Sequence, residues 1–170
     1  MIAFDENVNR FTGSTNLNIN FTDYLDLVYN VGIDWYNRRY QNTFAIGSRQ
    51  YPSGYMDEYM NYSGIFNSDL LLKFNKDINE KINLKATLGN NFYSTYSKNL
   101  YGDANVLEIP DFYQLSNSAN NTVSTGINNW RTMAVFGDIS FAYNSMLYVT
   151  VTGRNDWSTT MPEANLSAFY

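Results

Sequence analysis

The segment Met133–Thr160, MAVFGDISFAYNSMLYVTVTGRNDWSTT, constrains the fold more than any other. From Val135 onward, apolar or small residues fall on every second position: Val135, Gly137, Ile139 and Phe141, with Asp138 and Ser140 between them. After Asn144-Ser145 the alternation resumes, with Leu147, Val149, Val151 and Gly153 against Tyr148, Thr150, Thr152 and Arg154. A period of two belongs to strands, and two such runs meeting at a short polar tip form a hairpin. One face is apolar and the other carries Asp, Thr and Arg, which is the layout of a transmembrane β-barrel wall.

The same alternation recurs upstream over Arg10–Thr22, Leu27–Tyr40, Ile65–Lys76 and Lys81–Tyr96. Tight turns are expected at residues 23–26, 77–80 and 144–145, and long connections at 41–64, 97–128 and beyond Trp157. Connections that run short, long, short, long are those of outer-membrane barrels. A tilted strand crosses a bilayer in ~9–11 residues; several segments exceed this, which predicts strands projecting past the membrane. The expected fold is all-β: an antiparallel transmembrane β-barrel fragment of about six long strands in three hairpins. Its apolar face is predicted at Leu17, Ile19 and Phe21; Leu27, Val31 and Ile33; Leu70, Leu72 and Phe74; Leu84, Ala86 and Leu88; Val135, Ile139 and Phe141; and Leu147, Val149 and Val151. Bacterial barrels close with at least about eight strands, so residues 1–170 read as part of a larger barrel domain. A soluble antiparallel sandwich also alternates, but its strands mostly run about 5–6 residues.

Composition bears on function. With 15 Tyr, 11 Phe and 3 Trp in 170 residues and a negative mean hydropathy, the chain suits surfaces with an apolar body and a wet tip, aromatic belts included. Trp35, Tyr29, Tyr143 and Tyr148 are read as belt or wall residues. Cys is absent, which excludes disulfides and thiolate sites, and His is absent, which removes the commonest general base and metal ligand. Asp57-Glu58 and the Asp103/Glu108 pair read as solvated charges, and a calcium loop at Asp103–Asn105 would need Gly where Glu108 stands. No enzymatic activity, catalytic residue, metal or cofactor is expected. The net charge of −5 and the lack of a Lys/Arg cluster argue against nucleic acid. No run of ~18 apolar residues occurs, so no transmembrane helix is expected. MIAFDENVNR has no signal-peptide character, and the chain is expected to begin inside a longer coding sequence.

Phe136-Gly137-Asp138, Phe141-Ala142-Tyr143 and Leu147-Tyr148-Val149-Thr150-Val151-Thr152-Gly153-Arg154-Asn155-Asp156-Trp157-Ser158 resemble the barrel wall of the SusC/RagA-like family, the TonB-dependent outer-membrane transporters of Bacteroidetes. Phe169-Tyr170 matches the start of the family's "FYPS" segment, and Asn67–Leu72 and Leu88–Asn91 match further strand positions, with Asn90 in place of the second Gly of the usual pair. The resemblance covers about Phe21 to Tyr170. It implies a barrel of about 22 strands plugged by an N-terminal domain, a SusD-like lipoprotein lid, outer-membrane lipid around the wall, energy from TonB–ExbB–ExbD through the plug, and import of glycans or peptides. The plug and the C-terminal closing strand are not among these residues.

Candidate ligand contacts follow. Tyr51, Tyr55, Tyr59 and Tyr62 form an aromatic series in the first long connection. Tyr55 and Tyr59 are the pair expected to meet ligand, unless the series packs the loop on itself. Arg154 and Asp156 share the wet face of the last strand with Thr150 and Thr152, and Trp157 stands where the next loop begins. These three are expected to touch ligand or plug, or else to fix strand register as a cross-strand pair. Two rival functions remain at this point: a passive porin or surface adhesin on a similar barrel, and a soluble carbohydrate-binding β-sandwich.

Overall fold

The computed structural model describes residues 2–162 and 167–170. These residues form seven strands: β1 (Ile2–Thr22), β2 (Leu25–Ile46), β3 (Ser53–Asn79), β4 (Ile82–Asn105), β5 (Asn120–Tyr143), β6 (Leu147–Ser158) and the short β7 (Ser167–Phe169). They make one open sheet in sequence order, β1-β2-β3-β4-β5-β6-β7. β5 and β6 pair antiparallel from Tyr143↔Leu147 to Thr132↔Ser158, and β7 pairs antiparallel with the far end of β6. The all-β, antiparallel expectation therefore holds.

The hairpin at 144–145 forms as its residues dictate. Asn144 and Ser145 both take left-handed backbone, φ 51° and 56°, and the Met146 N–H donates to the Tyr143 carbonyl at 3.0 Å. Two successive left-handed residues match the right-handed twist of the flanking strands. The turns near residues 23 and 80 are tighter than expected, because Leu25 already belongs to β2 and Asn79 still belongs to β3.

The two long connections are corrected. Most of 41–64 and of 97–128 is strand: β2 runs on to Ile46, β3 begins at Ser53, β4 ends at Asn105 and β5 begins at Asn120. What remains is a loop at 47–52 and another at 106–119. Alternation of hydropathy reveals a strand only where one of its faces is apolar. Here both faces carry Tyr, Asn, Asp and Gly, and the strands are invisible to that test.

The chain divides into two compact units, one of Met1–Phe11, Asp34–Gly64 and Tyr96–Asn129, the other of Thr12–Ile33, Ile65–Thr95 and Trp130–Tyr170. In the second unit the two faces of the sheet differ sharply. One face is apolar and open: Phe21, Leu70, Leu88, Ile139 and Val149 are exposed, and Val151 retains 68% of its accessible surface. A soluble sheet would bury such a face, since removing it from water gains roughly 25 cal/mol per Å². The predicted positions Leu27, Val31, Phe74, Leu84 and Ala86 share it and are half-buried. The other face is a polar lattice. Asn16 donates to Asn30, Asn20 to Asp26 at 2.5 Å, Asn83 to Asp77 at 2.8 Å, Asn91 to Asp69 at 2.5 Å, and the Ser140 and Thr150 hydroxyls lie 2.8 Å apart.

The first unit holds the one buried apolar cluster among the described residues, Met56, Ala104 and Leu107, with Tyr113 and Leu115 packed against it. Loop 106–119 builds it by folding back onto the sheet. Its Leu107 N–H donates to the Ser53 carbonyl at 2.9 Å, and Gln41 Nε2 donates to the Tyr113 carbonyl at 3.3 Å. Gly54 and Gly102 lie directly under Leu107 and Leu115, where a Cβ would stand 3.0 and 2.6 Å from the leucine carbons. Inside the loop the buried Asn117 side chain bonds the Ile109 N–H (2.9 Å), the Ile109 carbonyl (2.8 Å) and the Phe112 carbonyl (2.5 Å). The loop is a packed structure of its own.

Candidate ligand-facing site

On a strand, residues an even number apart share a face. In the first unit this sends Met56, Gly102 and Ala104 to the side covered by the loop. Tyr55, Asp57, Tyr59, Tyr101 and Asp103 go to the opposite side. That opposite side is the candidate site.

Two aromatic groups flank a buried carboxylate there. Tyr51 and Tyr55 stack with centroids 4.4 Å apart and planes 14° from parallel, and Phe44 closes on both at 4.7 and 6.0 Å. Tyr40 and Tyr59 stack at 5.2 Å and 25°, with Phe4 beside Tyr40 at 6.0 Å. Between them Asp57, 6% exposed, accepts from the Asn42 amide at 3.0 and 3.2 Å. The pattern is carried by alternate residues on two strands, Tyr40, Asn42 and Phe44 on β2 and Tyr55, Asp57 and Tyr59 on β3. The Tyr55 and Tyr101 hydroxyls lie 3.3 Å apart. Burial, that hydrogen bond and the Asp57 charge together hold the Tyr55 hydroxyl protonated well above its ordinary value of 10.0.

Charges of both signs continue the same face. Arg38 donates to Glu6 at 2.6 Å, and Arg10 grips Asp34 with two bonds of 2.9 and 2.6 Å. The Arg38 guanidinium also lies 5.2 Å from the Tyr40 ring centroid. Asn61 donates to the Tyr36 hydroxyl at 2.7 Å. One face each of Tyr40, Tyr51, Tyr55 and Tyr59 is thus taken up by another ring, and Arg38 also lies over Tyr40. A ligand would meet ring edges, the hydroxyls of Tyr51 and Tyr59, and the carboxylate and guanidinium groups.

Tyr51, Tyr55 and Tyr59 of the predicted series come together, and Tyr62 does not. An odd offset of three from Tyr59 turns Tyr62 to the opposite side, where it meets Trp35 at 6.5 Å and Tyr96 at 6.1 Å. Asp57 and Glu58 likewise separate: Glu58 faces away and accepts from Arg39 at 2.6 Å. Sequence reasoning left out Asp57, Tyr40, Phe44 and Tyr101 as site residues. A strand-parity count through Tyr55 and Tyr59 would have found Asp57, whereas its β2 partners needed the extended β2.

In the second unit Arg154 and Asp156 form a bidentate pair two residues apart on β6, with contacts of 2.8–3.1 Å. The pair therefore lies along one strand, where a cross-strand pair was the alternative to ligand contact. The Tyr170 hydroxyl also donates to Asp156, and Arg154 lies 5.4 Å from the Phe136 ring centroid. Trp157 has the other parity. It stands on the apolar side with Met133 and Phe92 around a hollow of about 230 Å³, on the face opposite Arg154 and Asp156. Tyr93 and Trp130 meet edge-on at 5.3 Å, and Trp130 Nε1 donates to Ser158 at 3.2 Å.

No family profile matches the chain, and no curated protein matches it. Solved structures do. The chain is similar to one chain of the RagAB peptide importer in its closed-closed state, with TM-score 0.87 and 16% identity, over 99% of this chain and 19% of that one. The RagAB peptide transporter gives the same values, and the open-open state of the importer gives TM-score 0.85 at 16% identity over the same shares. The chain spans about a fifth of the length of these proteins, and its fold is that of the corresponding stretch of theirs.

Proposed function

We propose that these residues form part of the barrel wall of a SusC/RagA-like outer-membrane active transporter. The strand segments of the second unit turn their apolar face to lipid and their polar face to the lumen. The segments of the first unit, aromatic and polar on one face and partly covered by loop 106–119 on the other, stand in water. The chain takes part in ligand capture and lining and in no catalysis. The whole protein would work with a SusD-like lipoprotein and draw energy from TonB–ExbB–ExbD. The observation that carries this reading is one sheet face of exposed Leu, Ile, Phe and Val backed by a continuous polar lattice. The fold likeness to the RagAB importer supports it.

Between the two ligand classes, peptides are favoured. Sugar recognition by aromatic residues uses open ring faces, and here Tyr55 and Tyr59 each have one face stacked on another ring, while Tyr40 is met by Tyr59 and Arg38. A peptide presents amides and charged termini, which can exchange with the Arg38–Glu6 and Arg10–Asp34 ion pairs and with the Asn42–Asp57 hydrogen bonds. The experiment is uptake of a labelled peptide mixture and of labelled oligosaccharides by cells carrying the complete gene, with and without TonB. Peptide uptake that requires TonB is expected. Uptake independent of TonB would make the protein a passive porin, and recovery of the protein in the soluble fraction would overturn the membrane reading.

A further inference from the structure

The apolar face of the second unit carries a furrow. At one end is Arg131, exposed on the apolar side and without an ion-pair partner among the described residues. Its backbone is fixed against Thr159, whose hydroxyl accepts from the Arg131 N–H at 3.0 Å. The hollow beside Arg131 is walled by Met133 and Trp157. Trp157 also borders the next hollow, which reaches Gly137, Gly153 and Phe169. Those three in turn border a third hollow of about 510 Å³. The hollows thus share walls in series. From Arg131 to Ile139 the furrow follows eight residues of β5, about 27 Å at the usual strand rise.

The depth in the middle comes from a pair of glycines. Gly137 and Gly153 are direct partners across β5 and β6, on the face where both strands otherwise carry Val, Ile and Leu. A glycine pair in a strand interior forfeits packing and backbone entropy. A Cβ at Gly137 would stand 3.2 Å from the Thr87 carbonyl oxygen, whereas one at Gly153 would meet the Phe169 ring at an ordinary 3.6 Å. The backbone is thus closely approached at both glycines, and the Phe169 ring forms one wall of the furrow beside them.

We infer that this furrow, running from Arg131 over Gly137 and Gly153, is a binding site for one phosphate-bearing anionic lipid of the surrounding bilayer. The guanidinium would take the headgroup phosphate through its paired N–H donors, and one acyl chain would lie over the glycine pair. Charge complementarity selects the occupant: a cation set at the head of an apolar channel fits an anionic amphiphile. The inference rests on the membrane reading above.

The test uses the complete protein, purified in detergent micelles from the membrane fraction, incubated with phosphatidylglycerol or zwitterionic phosphatidylcholine, and weighed by native mass spectrometry. Selective retention of one phosphatidylglycerol is expected. Arg131→Gln should lower that retention at least fivefold, with Arg131→Lys between the two. Gly153→Val should lower it as much by filling the furrow while leaving the cation in place, which a free phosphate on Arg131 would not notice. Equal retention of the two lipids, or wild-type retention by both Arg131→Gln and Gly153→Val, would overturn the lipid site while the membrane reading stands. Absence of the protein from the membrane fraction would overturn the membrane reading itself.

Discussion

The tip of the Phe136 ring lies against the backbone of Gly89: a Cβ added to the glycine would fall 2.2 Å from the Phe136 Cζ. The ring covers bare strand and carries the Arg154 guanidinium on its own surface. An aromatic side chain laid over a glycine on a neighbouring strand restores the packing that the glycine gives up. Gly89→Ala should displace the ring and cost about 1–3 kcal/mol, the usual penalty of overpacking. Phe136→Leu should be milder at Gly89 and should free Arg154. Thermal unfolding of the complete protein, followed by its heat-dependent shift in gel mobility, reads both effects.

The assignment of faces is tested at adjacent residues. Val149 is exposed on the apolar side, and Thr150, its neighbour, bonds Ser140 on the polar side. Val149→Arg should cost ~2–4 kcal/mol at bilayer mid-depth and reduce assembly, whereas Thr150→Arg should assemble nearly as the wild type. Yield of folded protein in the outer-membrane fraction distinguishes them, and equal yields would reject the assignment.

Loop 106–119 depends on a small core and on one asparagine. Met56 is fully buried under it, so Met56→Ala should cost about 2–5 kcal/mol of loop anchoring. Asn117→Ala leaves three backbone groups of the loop without their partner, at about 1–3 kcal/mol. Both variants should become sensitive to limited proteolysis within 106–119 while the strands stay protected. Unchanged resistance would show that the loop is held by something else.

The candidate site is tested at Asp57 and Tyr59. Asp57→Asn keeps the shape and removes the charge, and should lower affinity for peptides with a free amino terminus about tenfold, equivalent to ~1.4 kcal/mol. Tyr59→Ala removes a hydroxyl and unstacks Tyr40, with a similar loss. Binding is read by calorimetry on the complete protein. Wild-type affinity in both variants would move the ligand away from this face.

How much of this was written in the sequence depends on which side of a strand one reads. The segments Leu27–Trp35 and Val135–Val151 announce themselves because a single apolar face alternates with a polar one. The same strands vanish from view beyond Tyr40 and before Met133, where the contrast between faces is lost. The packing of Leu107 on Met56 was out of reach, because it joins residues 51 positions apart on a chain return that no local pattern records. The placement of Trp157 and Tyr62 was within reach. Each follows from counting parity along a strand, Trp157 with Val149 and Val151, and Tyr62 against Tyr59.

The folding of loop 106–119 onto Met56 and Ala104, on the reverse of the sheet from Tyr55 and Asp57, has an evolutionary consequence. The tip at Pro110-Asp111-Phe112 is exposed, and the strands lie between it and Tyr55 and Asp57; on the proposed reading it is what an antibody or a phage would meet. If the chain belongs to a transporter as proposed, substitutions at that tip would accumulate without altering what is recognised on the other side, so escape and nutrition would be free to diverge in one short stretch of chain.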